Sequence, residues 1–170
     1  ERKFKGLVIG IDEAGRGPWA GPVTATAIWL CPSSYDYLPA DIDDSKKINS
    51  VRRADLAIEL MALPNRYHTV SLDAEIIDKM GILQATFAVM VAAASGLCNQ
   101  FAAAQLSRPA HALVDGNLLP PDMPLPATAL VKGDSRSLSI AAASIIAKTA
   151  RDQMMCDLDA VYPGYGWSRN

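Results

Sequence analysis

A chain of 170 residues, half of them hydrophobic and 20% charged, is long enough for one domain with its own core and too apolar to be disordered. Its formal net charge of −2 argues against a simple electrostatic binder of nucleic acid, which leans on a basic surface. A metal enzyme stays open, because clustered catalytic acids lower the sum.

The first apolar run, Gly6 to Ile11, predicts a strand over about residues 6–13. A second, Pro22 to Cys31, is expected to pair with it antiparallel, since the loop between them is short. Residues 32–49 read as an exposed loop ending in Asp43-Asp44-Ser45-Lys46-Lys47. Ser50 is the expected N-cap of a helix to about Leu63, with Leu56, Leu60 and Leu63 on one face and Pro64-Asn65 closing it. Tyr67–Leu72 reads as a third strand. Asp73–Met80 follows as a short helix broken at Gly81, then a longer helix runs from Ile82 to about Ala104. The apolar stretch Ile82–Leu97 is interrupted by Gln84, Thr86 and Ser95, so it is read as a buried helix, too short and mild to span a bilayer. His111–Asp115 is a short strand. The loop with Pro120, Pro121, Pro124 and Pro126 is expected to be extended, and Thr128–Lys132 to form a fifth strand. A long helix from Ser137 to about Val161 carries the alanine-rich segment Ile140–Ala150. This order predicts a single α/β domain, a mixed five-stranded sheet flanked by helices.

Cys31, Cys98 and Cys156 are odd in number, far apart and set in apolar segments. They are expected as reduced core thiols, with neither a disulfide framework nor zinc spacing. No signal peptide is visible, so a cytoplasmic location is the simplest reading, and nothing demands a partner subunit or a membrane. A monomer is expected.

Four acids share one placement: Asp12, Glu13, Asp115 and Asp134 each lie at or just past the C-terminal end of a predicted strand, the edge where ligands bind in open α/β sheets. Neighbouring strand residues point to opposite faces, so Asp12 and Glu13 share a site only if the strand ends or bends there. The Gly15-Arg16-Gly17 turn makes a bend expected. Its glycines let a backbone approach a ligand closely, and arginine pairs with phosphate. An all-oxygen set suits Mg²⁺ or Mn²⁺ rather than zinc, and His68 and His111 are read as core or half-buried residues. Two such ions would activate a water and neutralise a leaving oxygen in phosphodiester hydrolysis. Taken singly, each acid is also ordinary turn or cap chemistry, Asp134 above all. Trp19 is read as an apolar plug in its loop, with stacking on nucleic acid as the alternative.

Gly10-Ile11-Asp12-Glu13-Ala14-Gly15-Arg16-Gly17 followed by Ala20-Gly21-Pro22-Val23 resembles the opening motif of the type 2 ribonucleases H, and of ribonuclease HII in particular. Asp44-Ser45-Lys46-Lys47, Val114-Asp115-Gly116-Asn117, Lys132-Gly133-Asp134, Ile140 to Lys148 and Arg151-Asp152 agree in order. The resemblance implies a ribonuclease H-like fold and metal-dependent endonucleolytic cleavage of RNA in RNA–DNA hybrids. It also implies incision at single ribonucleotides in duplex DNA, leaving a 3′-hydroxyl and a 5′-phosphate. On that reading Asp12, Glu13, Asp115 and Asp134 bind Mg²⁺ or Mn²⁺, and the backbone of Gly15, Arg16 and Gly17 senses the ribose 2′-hydroxyl. Lys46, with Lys47 beside it, is expected to contact phosphate, with a solvated lysine pair as the alternative. Lys148 is read the same way, although it also stands four residues before Asp152, an ion-pair spacing on a helix, and Asp152 is a candidate acid behind the metal ligands. The family pattern continues past Tyr162–Trp167 with a lysine-glycine-tyrosine segment and a basic helical stretch, so the chain is expected to be cut short at its C-terminus. A hybrid-binding module without chemistry, and a nuclease acting on DNA alone, are the competing classes.

Overall fold

The computed structural model describes residues 1, 3–42 and 48–169. Five strands make one mixed sheet: β1 (Val8–Ala14), β2 (Val23–Trp29), β3 (Arg66–Leu72), β4 (His111–Asp115) and β5 (Ala127–Leu130). Their spatial order is β3-β2-β1-β4-β5. The first three form an antiparallel meander, and β4 and β5 add to β1 in parallel. Thr24 and Ser71, and Thr26 and Thr69, sit opposite each other in the β2–β3 register. Each pair closes a 2.8 Å hydroxyl hydrogen bond, so the buried threonines are satisfied.

Strand alternation sorts the side chains. Ile9 and Ile11 of β1, Val23, Ala25 and Ala27 of β2, and Ala112 and Val114 of β4 pack on one face against α3 (Ile82–Ala103). The intervening residues look to the other face, which α1 (Ser50–Ala62) and α4 (Leu138–Val161) cover with Leu56, Leu60, Ala142, Ala143, Ile145 and Ile146. Each fully buried Leu or Ile contributes about 1.5–3 kcal/mol by leaving water. A short helix, α2 (Ala74–Met80), is capped by Asp73, which accepts from the Ile76 amide, and ends at Gly81 with φ +81°. At 22 residues α3 is longer than its most apolar run and is, by length and composition, able to cross a bilayer. In this fold one side of it, from Ala85 through Val89, Ala93 and Leu97 to Phe101, covers the sheet.

Several boundaries differ from expectation. The N-cap of α1 is Asn49, whose side chain accepts from the Arg52 amide at 2.9 Å, and Ser50 is already helical. The fifth strand ends at Leu130 instead of Lys132. Lys132 adopts a left-handed conformation (φ 54°, ψ 46°) that no strand residue takes, and the chain swings out of the sheet there. Only Cys98 is a core thiol: Cys31 is half-buried and Cys156 is exposed on the outer side of α4, next to the inward Met155. All three are unpaired.

The helix that matters for function is α4. It lies along β1 because small residues let it in. A Cβ on Gly10 would stand 2.5 Å from the Ser139 carbonyl oxygen, and Ala141, Ala142, Ala143 and Ala147 are buried. Further along, Gly15 meets the Arg151 side chain. The five steps from Gly10 to Gly15 along the strand rise about 17 Å and the eleven steps from Ile140 to Arg151 along the helix about the same, so helix and strand run side by side over that span. Gly10→Ala therefore drives backbone against backbone. We expect it to destabilise the fold by about 1–3 kcal/mol, read as a lower urea midpoint at unchanged m-value. An unchanged midpoint would show that α4 does not depend on that contact.

Candidate active site

Pleating sets the first step of the site. Asp12 follows Ile11 on β1 and so faces α4, as does Asp115, one residue past Val114 on the neighbouring parallel strand. The register Ile11↔Val114 places the two acids side by side. Asp12 is 5% exposed. It accepts from the Glu13 amide at 2.7 Å and from the Ser144 hydroxyl of α4. Burial, then the charges of Glu13 and Asp115, push its carboxyl well above the usual carboxylate range. The two hydrogen bonds oppose that rise without cancelling it.

Glu13 reaches the same cavity by a route other than the expected bend. β1 does not end at the acid pair; it stays paired with β2 through Ala14, and the turn comes at Gly15 with φ +101°. Pairing with β4 has already stopped at Ile11, so β1 projects beyond its parallel neighbour and Glu13 stands at an open corner of the sheet. A cavity of about 350 Å³ forms there, lined by Asp12, Glu13, Asp115, Gly15, Arg16, Gly17, Ser144, Lys148 and Arg151 among others. Larger clefts, of about 700 and 900 Å³, share none of these acids.

Asp134 adjoins the cluster through the residue before it. Its neighbour Gly133 donates its amide to Asp115 Oδ1 at 2.6 Å, which fixes the turn beside the cluster. The Asp134 carboxylate, however, accepts from the Ser135 amide at 2.8 Å and does not line the cavity. That bond to the next residue is the turn chemistry that its sequence position also suggested, and it leaves the metal-binding role open to test. Among the described residues, no three histidine, cysteine or acidic side chains stand as a ready chelating group. Lys148 lines the cavity and is ion-paired to Asp152 at 2.6 Å, the pairing its spacing suggested. Lys46 lies outside the described residues. His68 and His111 are half-buried, the latter stacked on Phe4 and hydrogen-bonded to Thr128 Oγ1 at 2.9 Å. Trp19 is not a plug: its indole is fully exposed, two residues beyond Gly17.

A family model described as Ribonuclease HII matches residues 9–170. The chain belongs to the ribonuclease HII family. The Ribonuclease HII of Jannaschia sp. (strain CCS1) is 49% identical over 173 residues, covering 100% of this chain and 79% of the relative. That of Ruegeria sp. (strain TM1040) is 48% identical, covering 96% and 66%. The chain thus spans about two thirds to four fifths of these curated relatives. Its fold is similar to the ribonuclease H2 of Pyrococcus horikoshii OT3, with TM-score 0.76, 26% identity and coverage of 94% and 79%. Bst-RNase HIII solved in complex with Mn²⁺ shares the fold at TM-score 0.77 and 22% identity, covering 91% of this chain and 55% of that one. The ribonuclease H-like architecture expected from the motifs is the architecture found.

Three residues that shape the site were read in the sequence only as parts of motifs, with no role of their own. Ser144 binds Asp12, Gly10 admits α4, and Arg151, fully buried, donates to the Pro22 and Ala20 carbonyls at 3.1 and 3.0 Å and so holds the far end of the glycine turn. A signal existed: Ser144, Lys148 and Arg151 stand at i, i+4 and i+7, a polar stripe on an otherwise alanine-rich helix. Burial of like charges has a thermodynamic sign. An unfolded chain releases the Asp12 proton near about pH 3.9, whereas the folded one holds it to higher pH, so stability falls as pH rises through that window. Asp12→Asn removes the penalty. We expect a higher Tm for the variant at neutral pH in chelator, at roughly 2–4 °C per kcal/mol regained, with the difference vanishing below about pH 4. A variant less stable than wild type at pH 7.5 would contradict the charge-repulsion account.

Proposed function

We propose that this chain carries the catalytic domain of a divalent-metal-dependent endoribonuclease, a cytoplasmic monomer that cuts the RNA strand of RNA–DNA hybrids. It also incises 5′ of single ribonucleotides in duplex DNA, leaving a 3′-hydroxyl and a 5′-phosphate. The observation that carries the reading is one cavity lined jointly by Asp12, Glu13, Asp115 and the Gly15-Arg16-Gly17 turn. Family membership supports it.

The donor set fits a hard cation: it is all oxygen, and a buried Asp12 with raised proton affinity is a group that a dication relieves. Asp12, Glu13 and Asp115, joined by Asp134 once its carboxylate turns from Ser135, would hold Mg²⁺ or Mn²⁺. Bound there, such ions lower the pKa of water and neutralise the leaving oxygen. The chain's own groups do the rest. Ser144 and the Glu13 amide fix the Asp12 carboxylate, and the Gly133 amide fixes that of Asp115. Gly15 needs positive φ, and a Cβ there would lie 2.6 Å from Arg151 Nε, so the turn presents bare backbone to the ribose 2′-hydroxyl. Exposed Arg16, with Lys148 and Lys46, meets phosphates. Three unpaired thiols suit a reducing compartment.

The test is incision of a labelled DNA duplex holding one ribonucleotide, against an all-DNA control. We expect a single cut on the 5′ side of the ribonucleotide with Mg²⁺ or Mn²⁺ and none in chelator. Asp12→Asn and Asp115→Asn are each expected to lower kcat by about 10³-fold, equivalent to about 4 kcal/mol in the barrier, while hybrid binding persists. Equal cutting of the all-DNA control would refute the ribose requirement.

A further inference from the structure

Lys148 lines a cavity with three carboxylates, yet its Nζ is bound to a fourth that does not line it, Asp152 Oδ1 at 2.6 Å. The other oxygen of Asp152 takes Arg53 NH2 of α1 at 2.9 Å. Arg53 is nearly buried and is itself anchored, donating NH1 to the Ile48 carbonyl at 2.8 Å. The Thr149 hydroxyl donates to the Arg53 carbonyl at 3.4 Å, a second tie between α1 and α4 at the same level. An exposed i,i+4 lysine–aspartate pair is worth only a few tenths of a kcal/mol and leaves the ammonium mobile. Here the aspartate is clamped from behind by a buried guanidinium, so it is a fixed post rather than a flexible partner.

Resting on the reading of this cavity as a site for RNA–DNA hybrid, we propose that Asp152 is a positioning residue for substrate. It draws the Lys148 ammonium away from Asp12, Glu13 and Asp115, where it would neutralise the acids, and holds it at the rim to meet a phosphate of the hybrid. The lysine touches substrate; Asp152 and Arg53 act through it.

Charge alone and positioning predict opposite signs, which makes the idea testable. Removing an anion near a phosphate site should tighten a polyanion if only net charge counts. Positioning requires the reverse. Affinity for a short RNA–DNA hybrid is measured by fluorescence anisotropy in chelator, where turnover is blocked, across a salt series. Asp152→Asn is expected to weaken binding about 3- to 10-fold, with the slope of log K against log salt shallower by about 0.9, one phosphate contact. Lys148→Ala should do the same, and the double variant no more than Lys148→Ala alone, because both act through one contact. Asp152→Glu, which keeps the charge, should stay within about twofold of wild type. Should Asp152→Asn not fold because Arg53 NH2 loses its carboxylate, the comparison is made in an Arg53→Met background, which removes both members of that ion pair. Tighter or unchanged binding by Asp152→Asn, or additive losses in the double variant, overturns the proposal while leaving the function standing. A wild-type protein that neither binds nor cuts hybrid removes the functional reading and this inference with it.

Discussion

A carboxylate buried beside two others is an arrangement that folding does not favour, and the rest of the molecule is organised to tolerate it. Asp12 loses solvent and gains two like charges, Glu13 and Asp115. Two hydrogen bonds, from the Glu13 amide and the Ser144 hydroxyl, recover only part of that cost. The remainder falls on the core: the α3 face with its aliphatic cluster and the α4 face with its alanines. Such a site has residual affinity built into it, because any dication that binds removes a repulsion that the empty fold carries.

One helix does most of the organising. α4 caps the sheet with apolar residues, supplies Ser144 to Asp12, carries Lys148 to the cavity rim, and with Arg151 ties down the carbonyls that follow the glycine turn. These tasks recur at helical spacing on one stripe, so a single rigid-body placement sets them all. That placement depends on Gly10 and the small residues opposite it. Positioning and packing are therefore the same interaction here. A change that lifts α4 from β1 is felt simultaneously at the acid, the lysine and the turn.

Much of this was legible in the sequence, and the reasons are physical. Strand β4, the long helices and the α/β order follow from apolar runs and periodicity, which burial enforces. The acid placement follows from strand ends, and the parity of β1 puts Asp12 and Asp115 on a common face. What escaped was set by contacts distant in sequence. The early end of β5 reflects Lys132 turning left-handed as Gly133 reaches Asp115, an eighteen-residue separation that no local pattern carries. Asn49 displaced Ser50 as cap because either residue type suits the role, and only the trajectory out of the loop decides. Trp19 was misjudged because an indole in a loop is normally covered, and nothing in the surrounding residues says whether a partner exists within the chain.

The modest net charge, finally, is compatible with a polyanionic substrate once charge is considered by position rather than by sum. The acids that dominate the site are those a dication would neutralise, while Arg16 and Lys148 stand at its edge. Asp152 faces Lys148 and Arg53 and lies outside the cavity, so its own charge is spent within a local triad. Cations held by the cavity's acids would offset their charge and leave Arg16 and Lys148 to dominate the local field. A uniformly basic surface would bind any nucleic acid; a cavity whose cationic side chains, Arg16 and Lys148, stand beside three acids confines attraction for an anion to that one place.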